Sequence, residues 1–321
     1  MSRNDERFLM KVVDMYYKEE MPQEKIAKQL NVSRTTISRA LTKAKKEGYV
    51  KIIIDFPAES SIDLEKQLEQ KYQLKEVIAV KTKNKDEIDY LVAREASSYL
   101  SRVIKNDMAI GITWGYTMKK MVDSFDSEQN NLKVKGVEVV PLLGTMMPET
   151  IKTEELRFSY SSLLSSKLAE IIHGISYSLP APMYVRNLEI KQILLQEPQI
   201  ARTLERARHC DLGLFGIGTL AEHSSIAALD YEKKDIILKL SEQGGAGEIA
   251  GRIYDKNGDS MDSELNDRII GLNLEEIKKI PIRVGVAFGE EKVNAIRVAA
   301  ASGIINVLIT DSFTAEHILT E

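Results

Sequence analysis

Residues Met21 to Lys51, MPQEKIAKQLNVSRTTISRALTKAKKEGYVK, constrain this chain more than any other segment. They spell a short helix, a tight turn and a longer helix. Pro22 stands at the start of the first helix, where a missing N–H costs least. Ile26, Ala27 and Leu30 give that helix, Gln23 to Leu30, an apolar face. Asn31 and Val32 form the turn. Ser33 is a good N-cap for a second helix running to about Glu47, in which Ile37, Ala40, Leu41 and Ala44 recur at helical spacing. Gly48 ends it, and Tyr49-Val50-Lys51-Ile52-Ile53-Ile54 reads as the strand of a wing. Upstream, Arg7 to Glu19 supplies a supporting helix with Phe8, Leu9, Val12, Val13 and Tyr16 on its buried side. The pattern predicts a winged helix-turn-helix.

The other face of the longer helix carries Arg34, Thr35, Thr36, Ser38, Arg39 and Lys43. Short hydroxyls and long basic groups at the N-terminal end of a helix suit the major groove of double-stranded DNA, where arginine reads guanine or clamps backbone. With Gln23 and Ser33 they form the expected DNA-binding set. An amphipathic three-helix bundle would also show a polar face, but residues 33–51 hold six Lys or Arg against one acid, Glu47. The overall net charge of −4 splits the same way: residues 1–56 hold 12 basic and 8 acidic side chains, the remainder 32 and 40. The positive charge sits where the helix-turn-helix sits, and an acidic second domain leaves DNA contact to the first.

At 321 residues, 43% of them hydrophobic, the chain has room for two domains and a large core. No segment is apolar enough to cross a membrane, and the opening MSRNDERF is too charged for a signal peptide. Cys210 is the one cysteine, so no intramolecular disulfide forms and a reducing cytoplasm is the expected setting. His173, His209, His223 and His317 show no ligand spacing. No metal and no cofactor are expected.

Phe56-Pro57-Ala58-Glu59-Ser60-Ser61 breaks the pattern and marks the boundary between a DNA-binding domain, 1–56, and a second domain, 57–321. Ile62 to Tyr72 reads as a linking helix with Leu64, Leu68 and Tyr72 on one side. Beyond it, short apolar runs alternate with helices. The runs are 77–80, 108–112, 137–143, 176–179, 212–217, 282–288 and 307–310. The helices are 87–104, 116–125, 155–173, 190–196, 198–209, 291–302 and 314–319. This alternation implies βαβ units and a mostly parallel α/β sheet covered on both faces.

In such sheets ligands bind beyond the carboxyl ends of the strands. Those ends are rich in Gly and Thr: Thr113-Trp114-Gly115-Tyr116-Thr117, then Gly144-Thr145, then Gly216-Ile217-Gly218-Thr219, then Gly289 to Lys292. Glycine lets backbone N–H groups approach an anion, and the helix dipole favours negative charge. The first loop is the best phosphate cradle, although a tight strand-to-helix turn needs no ligand. Gly216 to Ala221 fits G-x-G-x-x-A, but no following helix is evident and a lone fingerprint is weak.

Taken in order, V-S-R-T-T-I-S-R-A-L-T-K-A (32–44), G-I-T-W-G-Y-T (111–117), V-V-P-L-L-G (139–144), G-I-G-T (216–219), G-E-I-A-G-R-I-Y-D-K-N-G (247–258) and the segment 288–315 resemble the SorC (DeoR/SorC-type) family of bacterial transcriptional regulators over nearly the whole chain. The resemblance implies an effector domain similar to glucosamine-6-phosphate isomerase, a phosphorylated sugar or polyol as effector, and a homo-oligomer, dimer or tetramer. It implies that residues 113–117 hold a phosphate, that Glu248 faces sugar hydroxyls and that Lys292 pairs with an anionic or hydroxyl group. The family often has Asp where Glu248 stands and a basic or small residue where Tyr116 stands, so the sugar does not transfer. The expected effector-binding set is Thr113, Trp114, Gly115, Tyr116, Thr117, Gly144, Thr145, Gly216, Gly218, Glu248 and Lys292. The competing reading is a sugar-phosphate isomerase or deaminase carrying a DNA-binding domain. It needs a positioned acid–base pair; Glu248 offers one member, and no convincing partner stands beside it, since of the histidines only His223, near Gly218, lies close to a candidate loop.

Overall fold

In the computed structural model the described residues are 3–50, 61–81, 84–125, 132–145, 159–222, 224–228 and 231–320. They form two compact units, Met1–Ala58 and Glu59–Glu321.

The first unit is three helices, α1 (Arg3–Tyr17), α2 (Gln23–Gln29) and α3 (Arg34–Lys46). Asn31, in the turn between α2 and α3, has φ of 52°, a left-handed conformation that a short polar side chain tolerates. Ser33 caps α3 by accepting from the Thr36 N–H at 3.1 Å. Gly48, at φ of 80°, lets the chain leave α3, with Tyr49 N–H donating back to the Ala44 carbonyl at 3.0 Å. Leu9, Val12 and Met15 of α1 meet Ile26 and Ala27 of α2 and Ile37, Ala40, Leu41 and Ala44 of α3 in one small core, with Phe8, Val13 and Tyr16 at its margin. Tyr49 and Val50 are not in a strand, and the rest of the expected wing, from Lys51, lies outside the described residues.

The second unit is built on parallel strands in the order β1 (Glu76–Val80), β9 (Val307–Asp311), β8 (Ile282–Val286), β5 (Leu212–Gly218), β2 (Ala109–Ile112), β3 (Glu138–Pro141) and β4 (Ile175–Ser176). Period-two alternation divides the side chains between two cores. Ile110, Ile112, Leu212, Leu214, Val284, Val286, Val307 and Ile309 enter one. Ala109, Phe215, Ile217 and Leu308 enter the other. Successive apolar residues therefore go to opposite faces, which is why these strands read as unbroken apolar runs.

Several expectations need correction. Helix α4 (Ile62–Tyr72) is an integral part of this unit: Glu69 and Glu65 accept the N–H groups of Val77 and Ala79, each at 2.9 Å. These bonds occupy the free edge of β1 and blunt it. The helix expected from Glu155 begins at Ser161; Ser159 and Tyr160 are not helical, and 155–158 lie outside the described residues. The run after Ser176 leaves the sheet, because Leu179 buries in a separate cluster with Ala181 and Val185. A stretch left unassigned, 219–281, holds an antiparallel hairpin of β6 (Gly245–Ile249) and β7 (Arg252–Asp255). Ala250 and Gly251, at φ of 52° and 76°, make its turn. Positive φ at both positions marks the tight hairpin type that matches strand twist. The hairpin joins the sheet through β6, with Ile217 opposite Ile249 and Gly218 opposite Glu248.

Candidate functional site

Helix α5 (Ile88–Val103) leads into β2, from which the chain passes through helix α6 (Tyr116–Asp123) to β3 on one side, and from β5 it moves on to β8 on the other. The carboxyl ends of neighbouring strands β2 and β5 thus diverge, and an open α/β sheet has its crevice at such a switch point. A cavity of about 320 Å³ lies there. Trp114 to Thr117 follow β2 and Gly216 to Thr219 end β5. Glu248 and Ala250 come from the hairpin, and Phe288, Glu291 and Lys292 follow β8.

Of the expected effector residues, Trp114, Gly115, Tyr116, Thr117, Gly216, Gly218, Glu248 and Lys292 line this cavity. Thr113, Gly144 and Thr145 do not. Thr113 is 1% exposed, and its hydroxyl donates to the Leu214 carbonyl at 3.2 Å, tying β2 to β5. Gly144 is pressed against backbone, since a Cβ there would lie 2.4 Å from the Pro182 carbonyl oxygen. Thr145 pairs with Pro182 and shares a 2.9 Å hydroxyl bond with Ser162. Trp114 touches the cavity but packs mainly with Leu143, Met183, Leu220 and Ile226. Ile217, Thr219 and Glu291 belong to the strand-end loops expected to meet a ligand although not to the expected set, and Asp89, Ser224, Ala250 and Phe288 line the cavity without having been singled out as ligand contacts. Phe288 and Glu291 stand beside Lys292 in the quoted closing segment, whereas nothing near Asp89 in the chain signals its place. His223 lies outside the described residues.

Helix α6 opens onto the cavity without a side-chain cap; its N-cap is Gly115, at φ of 120°. The Gly115 N–H is taken by the Ser159 carbonyl at 2.9 Å, so it is not part of a cradle. The N–H groups of Tyr116, Thr117 and Met118 have no acceptor within the helix. At the side of this opening, the Asp89 carboxylate accepts from the Tyr116 hydroxyl at 2.9 Å and contacts the Lys120 ammonium at 3.1 Å. Burial works against the Asp89 charge, but those two groups and the Tyr90 N–H together hold its pKa below the usual range. The hydrogen bonds that Lys120 donates to Tyr116 and Asp89 raise it to about 12.

Glu248 is 6% exposed. One oxygen accepts from the Gly251 N–H at 3.0 Å. The other lies over Gly218, where a Cβ would stand only 2.5 Å away. Glycine at 218 is therefore what makes room for this carboxylate. Burial pushes Glu248 up to about 7, against the opposing pull of the Gly251 N–H and Lys292. Burial likewise lowers Lys292, while Glu291 and Glu248 raise it. The Lys292 ammonium sits 5.6 Å from the centre of the Phe288 ring. Its turn is held from behind: the Gly289 N–H donates to the Thr314 hydroxyl at 2.9 Å, and Thr314 in turn bonds to buried Asp311. The site can thus offer backbone donors and an ammonium to an anion, and a buried carboxylate to hydroxyls. The described residues contain no cluster fit to hold a metal.

In the first unit Arg34, Thr35, Thr36, Ser38, Arg39 and Lys43 are all exposed on one side of α3, and Gln23 is half-buried at the start of α2. The Ser33 and Thr36 hydroxyls are engaged with each other at 2.8 Å, so they act first as the cap of α3. Arg34 approaches Glu24 at 3.8 Å with both side chains largely exposed.

Comparison with known proteins agrees with this architecture. Residues 57–320 match the family described as "Putative sugar-binding domain", and residues 9–46 match sigma-70 region 4. The deoxyribonucleoside regulator of Bacillus subtilis is 31% identical over 323 aligned positions, which cover all of both chains. The sorbitol operon regulator of Klebsiella pneumoniae is 27% identical over 98% of each chain. The crystal structure of that full-length regulator superposes with a TM-score of 0.74, covering 98% of this chain and 99% of its own. The described residues contain no helix long and apolar enough to cross a membrane. An N-terminal helix-turn-helix, a parallel α/β domain with a crevice at its switch point, and full-length similarity to these regulators together establish that the chain belongs to the SorC family of sugar-binding transcriptional regulators.

Proposed function

We propose that the crevice binds one phosphorylated sugar or polyol, and that occupancy resets the affinity of residues 1–56 for double-stranded operator DNA. The observation that carries this reading is the pairing of opposites in one small cavity. The uncapped start of α6 and the Lys292 ammonium favour an anion, and buried Glu248 favours hydroxyls. Glu248, Glu291 and Asp89 are the wrong sign for phosphate, so the cavity suits one phosphate and repels a second. The names of two relatives, a deoxyribonucleoside regulator and a sorbitol operon regulator, point to sugar-derived metabolites. Gln23, Ser33, Arg34, Thr35, Thr36, Ser38, Arg39 and Lys43 are assigned to DNA. The active form is at least a dimer, because one helix-turn-helix buries too little DNA for operator-level affinity; a monomer by light scattering, with and without DNA, contradicts this.

The test is calorimetric titration with matched pairs of sugars and sugar phosphates. The phosphates should bind far more tightly than the neutral sugars. Lys292→Ala should weaken them by about 1.5–3 kcal/mol without unfolding the protein. Equal binding of both forms removes the phosphate from the proposal. What favours the enzyme reading is the Glu248 carboxyl, which burial pushes up to about 7, into the range of a general acid or base. Turnover of sugar phosphates by the purified protein would reverse the order of the two readings.

A further inference from the structure

A second cavity, also of about 320 Å³, lies elsewhere in the α/β unit. It is lined by Lys191, Arg208, Arg252, Asp267 and Glu276, with Asn266 and Asn273 among its polar neighbours. Its charge is opposite to that of the crevice. The crevice sets three carboxylates against Lys292, whereas this cavity sets three cations against two carboxylates.

The cations are not neutralised equally. Arg208 has partners, with Nε donating to Glu276 at 2.6 Å and Nη1 to Glu205 at 3.0 Å. Glu276 is spent as well, because its second oxygen accepts from the Asn273 N–H at 2.9 Å. Arg252 is 5% exposed and has no carboxylate within ion-pair distance among the described residues. Its guanidinium donates to the backbone carbonyls of Leu272 and Gly271, each at 3.0 Å, of Ile269 at 3.5 Å, and of Asn266. Four of its five N–H groups are thereby used, and one on Nη1 is left over. Lys191 likewise donates to a carbonyl, that of Asp267, at 2.6 Å. Carbonyls satisfy donors but bring no full negative charge, and the carboxylates of Asp267 and Glu276 act on both cations only from beyond ion-pair distance. Burial and the neighbouring Arg252 disfavour the charge on Lys191 more than those two carboxylates favour it, a penalty that a bound anion would relieve.

We propose that this cavity is a second ligand site, selective for a small oxyanion such as a phosphate group, held by Lys191 and the free edge of the Arg252 guanidinium. Of the two lining carboxylates that oppose it, Glu276 is paired with Arg208 and Asp267 is not. The site does not depend on what occupies the crevice. The two are nonetheless parts of one hairpin, because Glu248 on β6 lines the first cavity and Arg252 on β7 lines the second.

The experiment is thermal melting of the full chain against inorganic phosphate, with potassium chloride matching the ionic strength. Phosphate should raise the melting temperature saturably and beyond chloride, as a ligand of the folded state does. Lys191→Gln should raise the half-saturating concentration about tenfold or more, the scale of a charge-assisted hydrogen bond. Lys191→Arg should keep the response and show that the site is intact. These titrations are run in the Lys292→Ala background, which removes the crevice cation, and there Asp267→Asn should lower the half-saturating concentration. The proposal is overturned if phosphate does no more than chloride. It is equally overturned if the response survives Lys191→Gln in that background, or is lost in Lys292→Ala alone, which would place the phosphate in the crevice.

Discussion

Glu248→Gln should make the ligand-free protein more stable and the effector complex weaker. The pKa of the carboxyl is displaced by burial from an ordinary 4.5 to about 7. A raised carboxyl pKa means that the folded state binds the proton more tightly than the unfolded chain. Its stabilising effect is complete below the unfolded value and is lost as pH rises through the folded one. Each pKa unit corresponds to about 1.4 kcal/mol, so ionised Glu248 costs the free protein about 3 kcal/mol above pH 7. Glutamine keeps the shape and an acceptor for the Gly251 N–H, and removes that cost. That cost is already net of the attraction to Lys292, so the gain is about 3 kcal/mol, or roughly 6–9 °C in a domain of this size. Thermal melts of both proteins at about pH 8 and about pH 5 test this, and the gain should fall below about 1 kcal/mol at the lower pH. Effector titration at the higher pH should show the opposite sign, with the sugar hydroxyls losing their carboxylate. A Gln variant that melts lower than wild type at the higher pH, or a gain that ignores pH, would show that Glu248 is not held ionised against its burial.

Gly218→Ala should destabilise the fold by about 1–3 kcal/mol, because its Cβ would fall 2.5 Å from the Glu248 carboxylate. By contrast, Gly216→Ala meets only the Trp114 carbonyl, at 3.8 Å, so it should melt normally yet bind effector poorly. A normal melt for both variants would mean that the carboxylate does not need the space over Gly218. Arg34→Ala with Arg39→Ala should leave melting unchanged, since both side chains are exposed. Each base-reading arginine should cost about 1–3 kcal/mol of operator affinity by fluorescence anisotropy; unchanged binding by the double variant would remove α3 as the reading helix.

What could be read from the sequence was what local rules control. The α3 start at Ser33, its stop at Gly48 and the apolar strands from Ile110 to Ile309 each follow from a cap, a glycine or a run of buried residues. The hairpin of β6 and β7 is not legible because charged Glu248 and Arg252 interrupt the apolar residues beside Ala250-Gly251, and an Ala in a left-handed turn position is a poor signal where Asn is the usual one. The expected effector set and the cavity lining part where a partner distant in sequence decides the outcome. Thr113 turns inward because Leu214 offers a carbonyl beside it, and Thr145 is drawn off by Pro182 and Ser162. Asp89 enters the cavity for the same kind of reason: the Tyr116 hydroxyl and the Lys120 ammonium hold its carboxylate there. At the mouth of α6 the Tyr116 phenol and the Lys120 ammonium are both bonded to the Asp89 carboxylate. On the proposed reading this leaves Lys292 as the cation lining the crevice that a phosphate would use.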